Sequence, residues 1–136
     1  KLGIWGFGTV GTSAVQFLSH HCKHISVLDA RSMTAEQFGI LSESNAKFIH
    51  QKNENDLIHF LETNDYIVPS PGIDLRPYAQ YAHKWLFEVD IFQSYATTPT
   101  VAITGTVGKT TVTTQLDALL NSHGAYSVAV GNIGTP

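Results

Sequence analysis

The chain has 136 residues, of which 43% are hydrophobic, and a formal net charge of −3. This length suits an ordinary globular domain with a core to bury, and the lack of a basic excess argues against a nucleic-acid partner. The single cysteine, Cys22, excludes an internal disulfide framework, and no apolar run is long enough to span a membrane. We therefore expect a cytoplasmic protein that binds a small molecule and does not insert into a membrane.

The first third of the chain has the pattern of a nucleotide-binding unit. Residues 1–5 predict a strand that leads into Gly6-Phe-Gly-Thr-Val-Gly11, after which apolar residues recur at helical spacing. Residues 25–28 predict a second strand, with Asp29 and Arg31 at its carboxyl end. A G-x-G-x-x-G sequence between strand and helix predicts a Rossmann-type unit, in which a diphosphate approaches the helix N-terminus and Asp29 or Arg31 lies near a nucleoside. A plain strand–helix turn is the alternative.

The next segment continues the alternation of helices and strands. Ser70 and Gly72 lie in a Pro-rich loop that follows a predicted strand, and this loop is either a simple turn or part of a ligand site. The pattern predicts a short helix within residues 33–44, strands at 46–49 and 65–68, a helix at 55–62, a helix-compatible segment at 76–84, a short strand at 85–89 and a brief helix at 90–95.

An apolar run at residues 101–103 leads into a Gly-rich turn and predicts a phosphate-binding loop. Gly105 and Gly108 let the backbone turn and expose N–H groups, and Lys109 supplies a positive charge for β- and γ-phosphates. The Thr110 hydroxyl is placed to bind Mg²⁺. Ile103 stands where the strict G-x-x-x-x-G-K-[ST] pattern requires glycine, so a strand–turn–helix connection without a ligand is the alternative.

A domain boundary is expected in the segment around Pro99. The two expected domains are residues 1–95 and residues 96–136. After the phosphate loop, an apolar stripe that includes Leu116 predicts a helix ending near Gly124, and residues 126–130 predict a strand. Asn132 follows at the carboxyl end of that strand, where ligands gather in open α/β sheets. Because the chain begins without an initiator Met, we expect an excised or trimmed N-terminus.

Five motifs in this order resemble the Mur ligases of peptidoglycan synthesis. They are Gly6 to Gly11, Asp29 to Arg31, Ser70 to Ile73, Thr104 to Thr111 and Gly131 to Gly134. The resemblance implies an α/β fold, with a Rossmann-like parallel sheet in a UDP-sugar-binding domain at 1–95. The first β–P-loop–α–β unit of an ATP-binding domain would follow at 96–136. It also implies a monomer that uses ATP and Mg²⁺ to join D-glutamate to UDP-N-acetylmuramoyl-L-alanine through an acyl phosphate.

Residue roles follow from the same resemblance. ATP would bind at Gly105, Thr106, Gly108, Lys109, Thr110 and Thr111, with Lys109 and Thr110 catalytic and Thr110 a ligand of Mg²⁺. The UDP-sugar would bind at Gly8, Thr9, Val10, Gly11, Asp29, Arg31, Ser70, Gly72 and Asn132. We expect the 136-residue chain alone to bind these ligands without turning them over.

Two other functions are compatible with the sequence. Gly6 to Gly11 followed by Asp29 would also suit an NAD(P)-binding module. Val107 stands where the loop of this family usually has Asn, which permits a UDP-sugar-binding protein without ATPase activity.

Overall fold

A computed structural model describes residues 1–131, and the chain divides into two compact units, Lys1–Tyr95 and a second that begins at Ala96. No helix within the described residues combines the length and the apolar character needed to cross a bilayer.

The first unit is built on a four-stranded parallel sheet. Its strands are β1 (Leu2–Trp5), β2 (Ile25–Asp29), β3 (Ala46–His50) and β4 (Tyr66–Pro69), in the spatial order β3–β2–β1–β4. The chain runs outward from β1 to β3 and then crosses back to place β4 on the other side of β1. In such sheets the crevice beyond the strand ends, where the order reverses, is the usual ligand site. The predicted Rossmann-like parallel sheet is confirmed.

Helices cover both faces of this sheet. They are α1 (Thr9–Leu18), α2 (Ala35–Ser42) and α3 (Glu54–Thr63), followed by a 3₁₀ segment at Arg76–Lys84 and by α4 (Glu88–Tyr95). One core cluster contains Leu2, Ile4, Phe7, Val15, Leu18, Ile25, Val27 and Val68, and the other contains Trp5, Leu28, Leu57, Phe60, Leu61 and Ile67. Successive strand residues alternate between the two clusters, as the pleat requires, so α1 packs on one face and α3 on the other.

The C-terminus of α3 is held by a lysine from the 3₁₀ segment. Lys84 Nζ donates to the carbonyl oxygens of Leu61 (2.8 Å), Glu62 (3.1 Å) and Asn64 (2.8 Å). These carbonyls have no partner within the helix, and a cation near them also interacts favourably with the helix dipole. Lys84 therefore fixes the 3₁₀ segment to the end of α3.

The strand predicted at residues 85–89 is wrong beyond its first residue. Trp85 forms one isolated parallel bridge with Ile67, and Glu88 already begins α4. A side-chain cap explains this difference. Asp90 Oδ2 accepts a hydrogen bond from the N–H of Phe87 (2.9 Å), which favours the start of a helix there.

The second unit contains α5 (Lys109–Ser122), and Gly124 follows it with a φ of +79°. The predicted helix is confirmed, but the strands expected at 101–103 and 126–130 do not form in the described residues. Val101, Val128 and Val130 are 66%, 62% and 54% exposed. A parallel strand pair needs cover on both faces, and one helix cannot supply it.

The segment after α5 is held by hydrogen bonds to side chains of α5 and does not pair with a strand among the described residues. Ser127 Oγ donates to Asp117 Oδ1 (2.7 Å), and the Ser127 N–H donates to Asn121 Oδ1 (3.3 Å). The segment therefore docks on its own helix.

Gly11 marks the tightest contact between α1 and the glycine loop. A Cβ at Gly11 would lie 2.1 Å from the Gly6 carbonyl oxygen, whereas a Cβ at Gly39 in α2 would meet nothing within 4 Å. We expect Gly11→Ala to lower the free energy of unfolding by about 2 kcal/mol or more, because backbone must move. The matched control Gly39→Ala should raise it by about 0.5–1 kcal/mol. Urea unfolding followed by circular dichroism measures both, and equal effects would contradict this packing.

Candidate functional site

The loop between β1 and α1 is drawn tightly against the end of β4. Gly6 has a φ of +96°, and its carbonyl oxygen accepts from Ser70 Oγ (3.2 Å). A Cβ at Gly6 would lie 2.6 Å from that same Oγ atom. Only glycine suits both the backbone conformation and the space. The ends of β1 and β4 therefore meet at Gly6 and Ser70.

The N-terminus of α1 is open to a ligand. Gly8 is its N-cap in an extended conformation, no side chain among the described residues caps it, and its first turn contains no acidic residue. The first N–H groups of a helix lack intrahelical partners and carry the positive end of the helix dipole. Gly8, Thr9 and Val10 thus present a place for an anion, while the buried Gly11 contributes close packing.

Asp29, the last residue of β2, is fully engaged within the protein. Its Oδ2 atom accepts from the Phe7 N–H (2.7 Å) and from Arg31 Nη2 (2.8 Å). Its Oδ1 atom accepts from the Arg31 N–H (2.8 Å) and Arg31 Nε (3.0 Å). The Asp29 side chain is 8% exposed. The carboxylate therefore links the glycine loop to Arg31 rather than facing outward.

These contacts keep Asp29 ionised despite its burial. Burial by itself raises the pKa of a carboxyl group, but hydrogen bonds from the Arg31 side chain and from the Phe7 and Arg31 N–H groups outweigh it. Together with the charge of Arg31 they lower the pKa of Asp29 from 3.8 to about 2. The hydrogen bond from Arg31 to Asp29 likewise raises the pKa of the guanidinium above its ordinary value.

A cleft of about 350 Å³ opens beyond the carboxyl ends of the strands, where the strand order reverses. Four of the predicted site residues line it, namely Asp29, Arg31, Ser70 and Gly72. The Arg31 side chain is 72% exposed and uses only Nε and Nη2 on Asp29, so its other N–H donors are available to a ligand.

Sequence reasoning missed Gln51, which lines the cleft after β3. Its position just beyond a predicted strand was the available signal, since carboxyl ends of parallel strands share one edge of the sheet.

In the predicted phosphate loop, two backbone carbonyl oxygens bind the side chain of Lys109. Gly105 and Gly108 have φ values of +150° and +85°, and Gly108 is the N-cap of α5, with no side-chain cap from residues 1–131. Lys109 Nζ donates to the carbonyl oxygens of Gly105 (2.5 Å) and Thr106 (3.4 Å). Thr110 and Thr111 are exposed at the helix start, and Val107 is 90% exposed. Asn132 lies outside the described residues.

The chain is similar to known proteins over most of its length. Residues 1–90 match the family described as Mur ligase MurD-like, N-terminal domain. A UDP-N-acetylmuramoylalanine–D-glutamate ligase of Nitrosococcus oceani is 32% identical over 138 positions, which cover 98% of this chain and 30% of that relative. A ligase of the same name from Francisella tularensis is 32% identical over 144 positions, which cover 100% of this chain and 30% of the relative. The chain thus spans about 30% of the length of these relatives.

The buried Asp29 predicts an acid-dependent stability. Because its pKa is lower in the folded protein, its stabilisation is present above pH 3.8 and is lost as the pH falls toward 2. We expect the free energy of unfolding to fall by roughly 2 kcal/mol across this interval. Asp29→Asn should already be less stable by the same amount at pH 7, and it should not show this further decrease in acid.

Asp74 and Arg76 offer a matched control, since they form the same three hydrogen bonds in an exposed position. Asp74→Asn should change stability little, because solvent screens that pair. Urea unfolding of both variants between pH 2 and pH 7 measures the difference. Equal behaviour of the two variants would contradict the role given to Asp29.

Proposed function

The chain belongs to the Mur ligase family, with a MurD-like N-terminal domain, and on that basis we propose that residues 1–95 bind a UDP-sugar, UDP-N-acetylmuramoyl-L-alanine. The observation that carries this proposal is the uncapped N-terminus of α1 next to Arg31, which lines the cleft. A Cβ at Gly8 would lie 3.8 Å from Arg31 Nη2. In the whole protein the bound UDP-sugar receives D-glutamate. The relatives' name supports this substrate pair.

Each group in the cleft has a distinct part in binding. The diphosphate lies at the N–H groups of Gly8, Thr9 and Val10, where the helix end stabilises negative charge. The guanidinium of Arg31 is planar and lies against the uracil, and its orientation is fixed by Asp29. Ser70 and Gly72 close the side of the cleft at β4. Asn132 is the proposed contact to the muramoyl part.

The contacts of Asp29 argue against an NAD(P)-binding module. In that class an acidic residue at the end of the second strand accepts hydrogen bonds from a ribose. Here both oxygens of Asp29 already accept two hydrogen bonds each from protein donors. A dinucleotide would have to displace Arg31 or the glycine loop to reach the carboxylate.

Residues 96–136 are the beginning of the ATP-binding domain. Gly105, Thr106, Gly108, Lys109, Thr110 and Thr111 hold the phosphates, and the N-terminus of α5 contributes its N–H groups. Lys109, which donates to the carbonyls of Gly105 and Thr106, would turn to the phosphate oxygens, and Thr110 would offer its hydroxyl to Mg²⁺. When bound, ATP and Mg²⁺ would supply the phosphoryl group that activates the carboxylate of the UDP-sugar. Lys109 and Thr110 would stabilise the charge that develops in this transfer.

Ligand titration with a matched arginine pair tests the proposal for residues 1–95. By isothermal calorimetry we expect saturable binding of UDP and of UDP-N-acetylmuramoyl-L-alanine and none of NAD. Arg31→Met should weaken UDP binding about tenfold, because a charged donor is lost from the cleft. Arg76→Met removes an equivalent arginine from an exposed pair and should leave UDP binding unchanged. NAD binding without UDP binding would overturn the proposal.

A second titration tests the phosphate loop. Lys109→Met should weaken binding of ATP with Mg²⁺ by about tenfold or more, because the loop loses its cation. Lys52→Met, which removes an exposed lysine before α3, should leave ATP binding unchanged. UDP binding should be unchanged in both variants. Unaltered ATP affinity in Lys109→Met would contradict the assignment.

A further inference from the structure

The peptide groups around Phe7 are held by three side chains from different parts of the first unit. The Gly6 carbonyl accepts from Ser70 Oγ (3.2 Å), and the Phe7 N–H donates to Asp29 Oδ2 (2.7 Å). The Phe7 carbonyl accepts from Gln37 Nε2. The Phe7 ring is 1% exposed and lies 6.1 Å from the ring of Phe48, measured between centroids. The middle of the glycine loop is therefore fixed in both position and orientation.

The Gln37 amide makes two hydrogen bonds of opposite sense. Its Oε1 atom accepts the N–H of Thr34 (2.8 Å) as part of the capping box of α2, and its Nε2 atom donates to the Phe7 carbonyl. The first partner can only donate and the second can only accept, so the amide has one possible orientation. Neither a carboxylate nor an apolar side chain can satisfy both partners.

The Phe7 carbonyl and the Gly8 N–H belong to the same peptide group. That peptide is trans, so its carbonyl and its N–H point in opposite directions. A donor that fixes the carbonyl therefore also fixes the N–H. Among residues 1–131 the Gly8 N–H has no hydrogen-bond partner, and it belongs to the N-cap of α1.

We propose that Gln37 is a positioning residue of the diphosphate site, because it anchors the Phe7 carbonyl and thereby aims the Gly8 N–H at the ligand. This inference rests on the proposed UDP-sugar function. Gln37 itself is not among the residues that line the cleft. Gln37 lies on the carbonyl side of the Phe7–Gly8 peptide, where it lines a smaller cavity of about 120 Å³ that shares Asp29 and Arg31 with the cleft. Gln37 couples the start of α2 to the geometry of the glycine loop.

Gln37→Glu and Gln37→Met separate positioning from packing. At pH 7.5 the carboxylate of Gln37→Glu faces the Phe7 carbonyl without a proton to donate, and we expect UDP binding about tenfold weaker than in the unsubstituted chain. At pH 4.5 a protonated glutamic acid can donate like the amide, so the difference should shrink to within about threefold. Gln37→Met cannot donate at either pH, and its loss of about tenfold should persist.

The other charged groups at this cavity do not interfere with the readout. Asp29 and Arg31 line it, and Asp29, with a pKa of about 2, stays ionised at pH 4.5. The phosphate of UDP titrates in this range, so each variant is compared with the unsubstituted chain at the same pH. Leu41→Ala is the control for a loosened α2, since Leu41 packs against the core without contacting Phe7 through a hydrogen bond.

Calorimetric titration with UDP, together with thermal unfolding of each variant, decides between the outcomes. The inference is supported if Gln37→Glu loses affinity for UDP at pH 7.5 and regains it at pH 4.5. Leu41→Ala should lose little affinity at either pH. An affinity loss that is independent of pH, or an equal loss in Leu41→Ala, overturns it. If Gln37→Glu does not fold, unchanged affinity in Gln37→Met overturns it instead. Absence of UDP binding by the unsubstituted chain overturns the proposed function and this inference together.

Discussion

The first unit depends on one buried carboxylate at the end of β2. Asp29 joins the glycine loop to Arg31, and its burial is tolerated because both of its oxygens accept hydrogen bonds from two donors. Without those donors, burial of the Asp29 carboxylate would destabilise the folded protein. Without the carboxylate, the Phe7 N–H would be buried without a hydrogen-bond partner. The same contacts leave the N-terminus of α1 uncapped within the described residues and the outer edge of Arg31 exposed, so the interaction that stabilises the loop also shapes the proposed site.

The two glycine loops of this chain, each proposed to bind phosphate, are built differently. In the first unit, side chains from β2, α2 and the β4 loop hold the backbone of the glycine loop, so the geometry exists before any anion arrives. In the second unit the loop is held by its own Lys109, whose ammonium bonds the carbonyls of Gly105 and Thr106. A phosphate must compete with those carbonyls for the cation. The binding proposed for the first loop therefore requires less rearrangement than the binding proposed for the second.

The sequence predicted those strands and loops that depend on residues close to one another in the chain. Apolar runs located the four strands of the sheet, and glycines located both loops. The predicted strand at 85–89 was wrong because a single side chain, Asp90, caps a helix there. The strands expected on either side of the second loop do not form within residues 96–131, because a strand needs partners that this part of the chain does not supply. The engagement of Asp29 and the role of Gln37 could not be read from the sequence, since their partner Phe7 lies 22 and 30 residues away.

A backbone amide NMR titration of the ¹⁵N-labelled chain with UDP-N-acetylmuramoyl-L-alanine would locate the bound ligand directly. We propose that the diphosphate binds at the N-terminus of α1, in an orientation set by the contacts of Phe7. The largest shifts are then expected at the amides of Gly8, Thr9 and Val10, with smaller shifts at Arg31 and Ser70. Shifts confined to other parts of the chain, or no shifts at all, would contradict this proposal.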